Sequence, residues 1–264
     1  MRGYRSGMAV VAKRDRFLMS DSCSTLEQSI SFRMTALQRD LPVASTRFSV
    51  AQSCALERRY DCPMNKRAPR EWQTLNYIDP KRVLIGLGAI AQTLPLNDLG
   101  YHAASLRTRE LRPFGEGRQA ALFCYGMSQA MNRHVDFAMV EAQDYDAVAR
   151  FADNQGALVF APVQLKEWVP DFLNPSATLQ KELDKLGKYV DSEDLVVAVH
   201  MNRTTTIHLS ELALPRGRIG ELWLYGGADS NQTRWMFIGD LLSDKPQYFE
   251  FSYPVDQPSD IDHC

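Results

Sequence analysis

The sequence predicts an α/β protein in which a helix, three strands, a second helix and a fourth strand follow in that order. They form a mixed sheet flanked by helices, with a β-rich extension after it. Three observations carry this. Apolar residues between Gly115 and Met131 recur at helical spacing. Three β-rich stretches follow, the last two joined by Asn154-Gln155-Gly156, a tight-turn sequence. A helix-patterned segment then leads into Leu195 to Met201, an unbroken apolar run suited to a buried strand paired in parallel across the helix.

The 264 residues suffice for one domain of ordinary size plus extras. Hydrophobic residues at 45% and charged residues at 23% give a soluble globular balance. A net charge of -2 excludes a polycation that coats nucleic acid without selectivity. The distribution is uneven: residues 1–70 hold thirteen Lys and Arg against six Asp and Glu, which leaves seventeen against twenty-six in the rest. Any nucleic-acid contact by the folded part therefore needs a local basic patch. The five cysteines, at 23, 54, 62, 124 and 264, contain no CxxC pair. That argues against a disulfide framework or structural zinc and for a reducing, cytoplasmic setting. No run approaches the roughly 18 apolar residues of a membrane span, since Val83 to Leu96 is broken by glycines, Gln92 and Thr93.

Residues 1–70 lack strand or helix period, and read as a disordered leader or as sequence upstream of a later start such as Met64. Their acidic residues argue against a targeting peptide. Residues 71–110 read as a helical lead-in: Asp79-Pro80 opens one helix, and Asn97 to Arg109 offers a second. Gly86 and Gly88 are packing or boundary glycines, because a lone G-x-G is no nucleotide fingerprint. The α/β domain occupies residues 111–254, and residues 255–264 read as a disordered acidic tail.

Within that domain the first helix runs from about Gly115 to Met131, with Glu116, Ala120, Phe123, Met127 and Ala130 on one face. Glu116 either complements the helix dipole from the first turn or reaches a functional site, with Glu110 as the fallback. The strands are His134 to Ala142, Asp144 to Asp153 and Ala157 to Trp168. The second helix is capped by Ser176 and repeats Leu179, Leu183, Leu186 and Val190. Strand-like segments at Thr205 to Leu209, Glu221 to Tyr225, Arg234 to Leu241 and Tyr248 to Tyr253 form the extension. Its aromatics Trp223, Tyr225, Trp235 and Phe237 read as core ahead of base stacking. His200 reads as a core or edge histidine, having no ligand partner at suitable spacing.

The chemistry concentrates in the second and third strands. Strand side chains alternate, so Gln164 and Lys166 share one face and Leu165 takes the other. Asp146 on the neighbouring strand can meet them, and in preference to Asp136, Glu141 or Asp144 its register sets it beside Gln164 and Lys166. A carboxylate and an amide oxygen can hold a divalent cation, and an ammonium can orient a water. Arg150 shares the Asp146 face, and Lys185 and Lys188 lie on the second helix as weaker nucleic-acid contacts.

The order Glu116, Asp146, Gln164, Lys166 on an α-β-β-β-α-β framework resembles the PD-(D/E)XK nuclease superfamily, in its Gln-x-Lys variant, over roughly Leu111 to Met201. Two positions depart from the pattern: Tyr145 stands in place of Pro, and Gln164 brings no charge. The resemblance implies a restriction-endonuclease-like core and Mg²⁺- or Mn²⁺-dependent hydrolysis of nucleic acid, DNA ahead of RNA. It gives the metal to Asp146, Gln164 and the Leu165 carbonyl, and chemical roles to Lys166 and Glu116. A homodimer is compatible with this reading. The alternative is a nuclease-fold module that binds nucleic acid or a protein without cutting.

Overall fold

The computed structural model describes residues 11–12, 29–33, 68–93, 103, 105–190, 192–203, 205–229 and 231–256. Among these the chain is a mixed α/β protein whose larger sheet has seven strands. Most of the leader, residues 257–264 of the acidic tail and most of the proposed helix from Asn97 fall outside the described residues, as do cysteines 23, 54, 62 and 264. The elements run β1 (Val11–Ala12), β2 (Ser29–Arg33), α1 (Arg70–Gln73), α2 (Pro80–Thr93), α3 (Arg112–Met131), β3 (Val135–Met139), β4 (Ala147–Ala152) and β5 (Leu158–Trp168). Then come α4 (Leu179–Asp184), a 3-10 turn at Lys185–Lys188, β6 (Ser192–Met201), β7 (Thr206–His208), β8 (Ile219–Gly227), β9 (Arg234–Gly239) and β10 (Gln247–Ser252). The expected order of helix, three strands, helix and strand is thus present as α3-β3-β4-β5-α4-β6. The larger sheet has the order β10-β9-β8-β6-β5-β4-β3, and β1, β2 and β7 make a separate three-stranded sheet. The chain divides into two compact units, and β5 passes from one to the other between Leu165 and Lys166.

The unit comprising residues 47–165 and 253–264 is built on an antiparallel ladder. β3 pairs with β4, setting Asp136 opposite Arg150, and β4 pairs with β5, setting Ala147 opposite Val163. The β4–β5 turn forms where expected, and Asp153 makes it: its Oδ1 accepts from the backbone N–H of Gln155 at 2.9 Å and of Ala157 at 2.8 Å. Gly156 closes it at φ +80°, a conformation that costs glycine little. α3 begins at Arg112, ahead of the expected Gly115, because Pro113 suits a first turn whose N–H groups need no partner. It ends on Asn132 in the left-handed conformation, and the Ser128 hydroxyl then accepts from Val135 N–H at 2.9 Å to start β3. Burial of Ala120, Phe123 and Met127 agrees with the predicted stripe. Cys124 is fully buried in this helix, and burial raises its thiol pKa, so it packs as an apolar side chain. α2 starts at Pro80 as expected, whereas Ser105 to Leu111 form turns.

The unit comprising residues 1–46 and 166–252 holds the parallel element. β6 pairs in parallel with β8, while β8–β9 and β9–β10 are antiparallel. Asn202 N–H donates to the Trp168 carbonyl at 3.1 Å, so the ends of β5 and β6 lie together, as strands running the same way require. α4 is shorter than its pattern suggested. Its cap is Thr178, whose hydroxyl accepts from Lys181 N–H at 3.2 Å, and Val190 lies beyond it, exposed. Trp223, Tyr225, Trp235 and Phe237 are at most 1% exposed, so they are core and take no part in base stacking. His200 is buried among them, stacked on Tyr225 at 5.2 Å. Arg203 is buried too, and its guanidinium donates to the carbonyls of Val169, Ala177 and Asn174 while pairing with Asp171 at 2.8 Å. A buried cation needs that many partners, and here they fasten the segment that follows β5.

Two measurements check this packing. The β6–β8 register shifts between Ser192 and Val196, and there the Glu193 carbonyl comes within 2.1 Å of where a Cβ on Gly220 would sit. Backbone cannot yield as a side chain would, so Gly220→Ala is expected to cost about 3 kcal/mol in chemical denaturation, the upper range for overpacking. Tyr77 has its phenol pushed up to about 12, first by burial, with Arg150 pulling it down and Asp136 adding to the rise. The folded state holds this proton more tightly than the unfolded chain, so the Tyr77 contribution is complete below pH 10 and is lost as pH climbs towards 12. Tyr77→Phe is expected to flatten the fall in stability across that window.

Candidate functional site

Asp146 lies one residue before β4, where the ladder opens. Its N–H donates to the Val163 carbonyl at 2.9 Å, and its carbonyl accepts from Val140 N–H at 3.0 Å. The backbone of Asp146 is thus held by β5 on one side and by the end of β3 on the other. Its carboxylate turns towards β5: Oδ2 accepts from Leu165 N–H at 2.7 Å and from the Gln164 side-chain Nε2. The same Nε2 lies 3.3 Å from the Leu165 carbonyl. Gln164 is only 6% exposed, so its amide must find partners inside the protein. Of the three side chains expected to meet, Asp146, Gln164 and Lys166, these bonds join Asp146 to Gln164, and they add the Leu165 N–H.

Their geometry departs from expectation in one respect. The donor end of the Gln164 amide, rather than its oxygen, faces Asp146. For Gln164 to serve as a cation ligand the amide turns over, presenting Oε1 and giving up its bond to the carboxylate. The donor set, one carboxylate with an amide and a backbone carbonyl, is all oxygen and suits a hard cation that keeps much of its own water. Among the described residues no three His, Cys, Asp or Glu side chains group as a metal cage. A cation here would rest on the single charge of Asp146.

Lys166 continues β5 and, by strand alternation, takes the Gln164 side; it is half-buried. On the other side, Glu167 accepts from the Asn202 side chain at 2.6 Å and lies 4.0 Å from His200 Nδ1. Glu116 pairs with Arg112 at 2.8 Å, one helical turn away. With the helix beginning at Arg112, no acidic residue occupies its first turn, so the dipole account of Glu116 does not hold. Glu110, Glu141 and Asp144 are exposed. Asp136 is shared by Arg150 at 2.7 Å and His134 at 2.8 Å.

The weaker contact residues have intramolecular partners. Arg150 is bound to Asp136 and lies 4.0 Å over the Tyr77 ring. Lys185 is paired with Glu182 at 2.6 Å, and Lys188 lies 4.8 Å over Tyr189. Two residues near the site had no sequence signal as site residues: Trp72, whose indole N–H donates to the Tyr145 hydroxyl at 3.0 Å, and Tyr145 itself. The partners are 73 positions apart, beyond the reach of any periodicity. No protein family, curated protein or solved structure matches the chain.

Removing the Asp146 carboxylate would take the acceptor of the Leu165 N–H and one acceptor of the buried Gln164 amide. Asp146→Ala is expected to lower stability by about 1–3 kcal/mol. Asp146→Asn, which keeps an acceptor oxygen for Leu165, is expected to cost less. Urea denaturation of the two variants tests the ranking.

Proposed function

We propose that this chain is a metal-dependent, nuclease-like phosphodiesterase acting on nucleic acid, with DNA ahead of RNA. The observation that carries the reading is the meeting of the Asp146 carboxylate with Gln164 and Leu165, two residues and one residue before Lys166. Asp146, Gln164 in its turned-over form and the Leu165 carbonyl would hold Mg²⁺ or Mn²⁺. Such a cation supplies charge neutralisation at a non-bridging phosphate oxygen. Lys166 orients or deprotonates the attacking water, which enters in line with the leaving oxygen, and its ammonium stabilises the charge that develops. Glu116 supports the positioning of water, which requires it to exchange Arg112 for that role.

A second reading is favoured by one observation: Asp146 already has two donors from the protein. A module of this kind can bind nucleic acid or a protein partner without cutting. Electrostatic support for nucleic-acid contact is thin, because Arg150 and Lys185 are already in ion pairs.

Cleavage of linear duplex DNA, single-stranded DNA and RNA with Mg²⁺ or Mn²⁺ decides between them. Under the leading reading Lys166→Ala remains folded and cuts about 10²–10⁴-fold more slowly, and Asp146→Ala loses metal binding. Binding without cleavage on every substrate, unaltered in Lys166→Ala, selects the non-cutting module.

Gln164→Glu gives a second, sharper check. A second carboxylate raises the ligand charge, so Mn²⁺ affinity is expected to rise by about tenfold or more, since charge count tunes such sites. Without metal the same variant is expected to be less stable than the parent, two carboxylates having replaced a hydrogen-bonded pair. Unchanged affinity in calorimetric titration would remove Gln164 from the cation site.

A further inference from the structure

The connection between β3 and β4 is exposed from Glu141 to Asp144, yet two residues later it must deliver the Asp146 carboxylate to within 2.7 Å of Leu165 N. Tyr145, the last residue before Asp146, is half-buried and lies outside the regular ladder. Its hydroxyl accepts from Trp72 Nε1 at 3.0 Å, and the two rings meet edge to face at 5.7 Å. Trp72 is itself fixed. Its carbonyl accepts from the Tyr77 hydroxyl at 2.8 Å. Tyr77 packs against Phe160 of β5 at 6.0 Å and under Arg150 of β4 at 4.0 Å. Ile78 exchanges backbone hydrogen bonds of 2.8 and 3.1 Å with Phe137 of β3. Each link ends on a strand of one antiparallel ladder, so the segment from Trp72 to Ile78 gives the Tyr145 ring a rigid mount.

We infer that Trp72 is a positioning residue for Asp146, acting through the hydroxyl of Tyr145. The inference rests on the reading of Asp146 as the cation ligand. It assigns the lead-in segment around α1 a part in the site, although none of its side chains touches the Asp146 carboxylate in the hydrogen bonds above. The backbone bonds of Asp146 to Val163 and Val140 hold its main chain, and the tether at Tyr145 steadies the exposed approach to it, which a cation site's narrow tolerance requires.

The test uses the full chain with Trp72→Phe, Tyr145→Phe and the double variant. The readouts are hydrogen exchange at the Leu165 amide, whose N–H is bonded to Asp146, and Mn²⁺ affinity. Each single change is expected to speed Leu165 exchange by about 2- to 10-fold, the worth of one hydrogen bond, and to weaken Mn²⁺ by a similar factor. The double variant is expected to add nothing further, because both changes break one bond. The amide of Phe137, on β3, is expected to exchange as before. Unchanged Leu165 exchange, or an equal rise at Leu165 and Phe137, would overturn the positioning role. Where Trp72→Phe fails to fold, Tyr145→Phe, which removes a single oxygen, carries the test. Should the parent bind no Mn²⁺ while Leu165 exchange still responds, the cation-site reading fails and the tether stands.

Discussion

A carboxylate aimed at a backbone N–H one strand away fixes more than itself. Asp146 bonds to Leu165 N–H and to the Gln164 amide, and its own N–H and carbonyl are taken by Val163 and Val140. These bonds are mutually consistent in only one alignment of β4 on β5. A slip of one residue would exchange the faces of Gln164 and Leu165 and take the Gln164 amide away from Asp146. The Asp136–Arg150 pair follows from the β3–β4 register and closes the other side of the ladder. The helix α3 packs against β3 at the edge of this ladder.

The second unit solves a different problem. Its sheet mixes a parallel pair with antiparallel ones, and parallel strands buried on both faces need tight backbone approach. Gly220 allows it at the irregularity opposite Glu193. The aromatic cluster then fills the remaining volume, Phe237 stacking on Phe249 at 5.1 Å and on Tyr225 at 5.5 Å. Arg203 holds the connection after β5 by donating to three carbonyls, so the strand carrying Lys166 ends on a fixed segment. Neither the mixed sheet nor the aromatic core requires a functional explanation.

What could be read from the sequence was what repeats at short range. Alternation in β5 put Gln164 with Lys166, the apolar stripe placed α3, and Asn154-Gln155-Gly156 located the hairpin. The convergence of Asp146 with Gln164 followed, because a tight hairpin fixes register from local residues alone. Boundaries were less legible: Pro113 drew α3 back to Arg112, and Thr178 displaced Ser176 as the cap of α4. Contacts between distant positions were not legible at all. Trp72 and Tyr145 carry no pattern that joins them, and the orientation of the Gln164 amide depends on which donor its neighbour can use. The partners of Arg150, Asp136 across the ladder and Tyr77 beneath the guanidinium, likewise come from the fold rather than from spacing.

The residue at 164 bears on why such a site can sit comfortably in a folded chain. Two carboxylates at these positions would repel each other without a cation, and burial would compound the cost by disfavouring the charged forms. An amide removes that conflict, since its N–H₂ donates to Asp146 while its oxygen faces elsewhere. On the proposed reading, stability in the absence of a cation and affinity for one are set against each other at a single side chain. On the same reading, positioning matters more here than in a site with two charges. With only Asp146 to supply attraction, a cation gains little from a carboxylate that is out of place, and rigidity substitutes for charge. The Trp72 to Ile78 segment, bonded or packed to three strands, is the part of the fold that would supply that rigidity to Asp146.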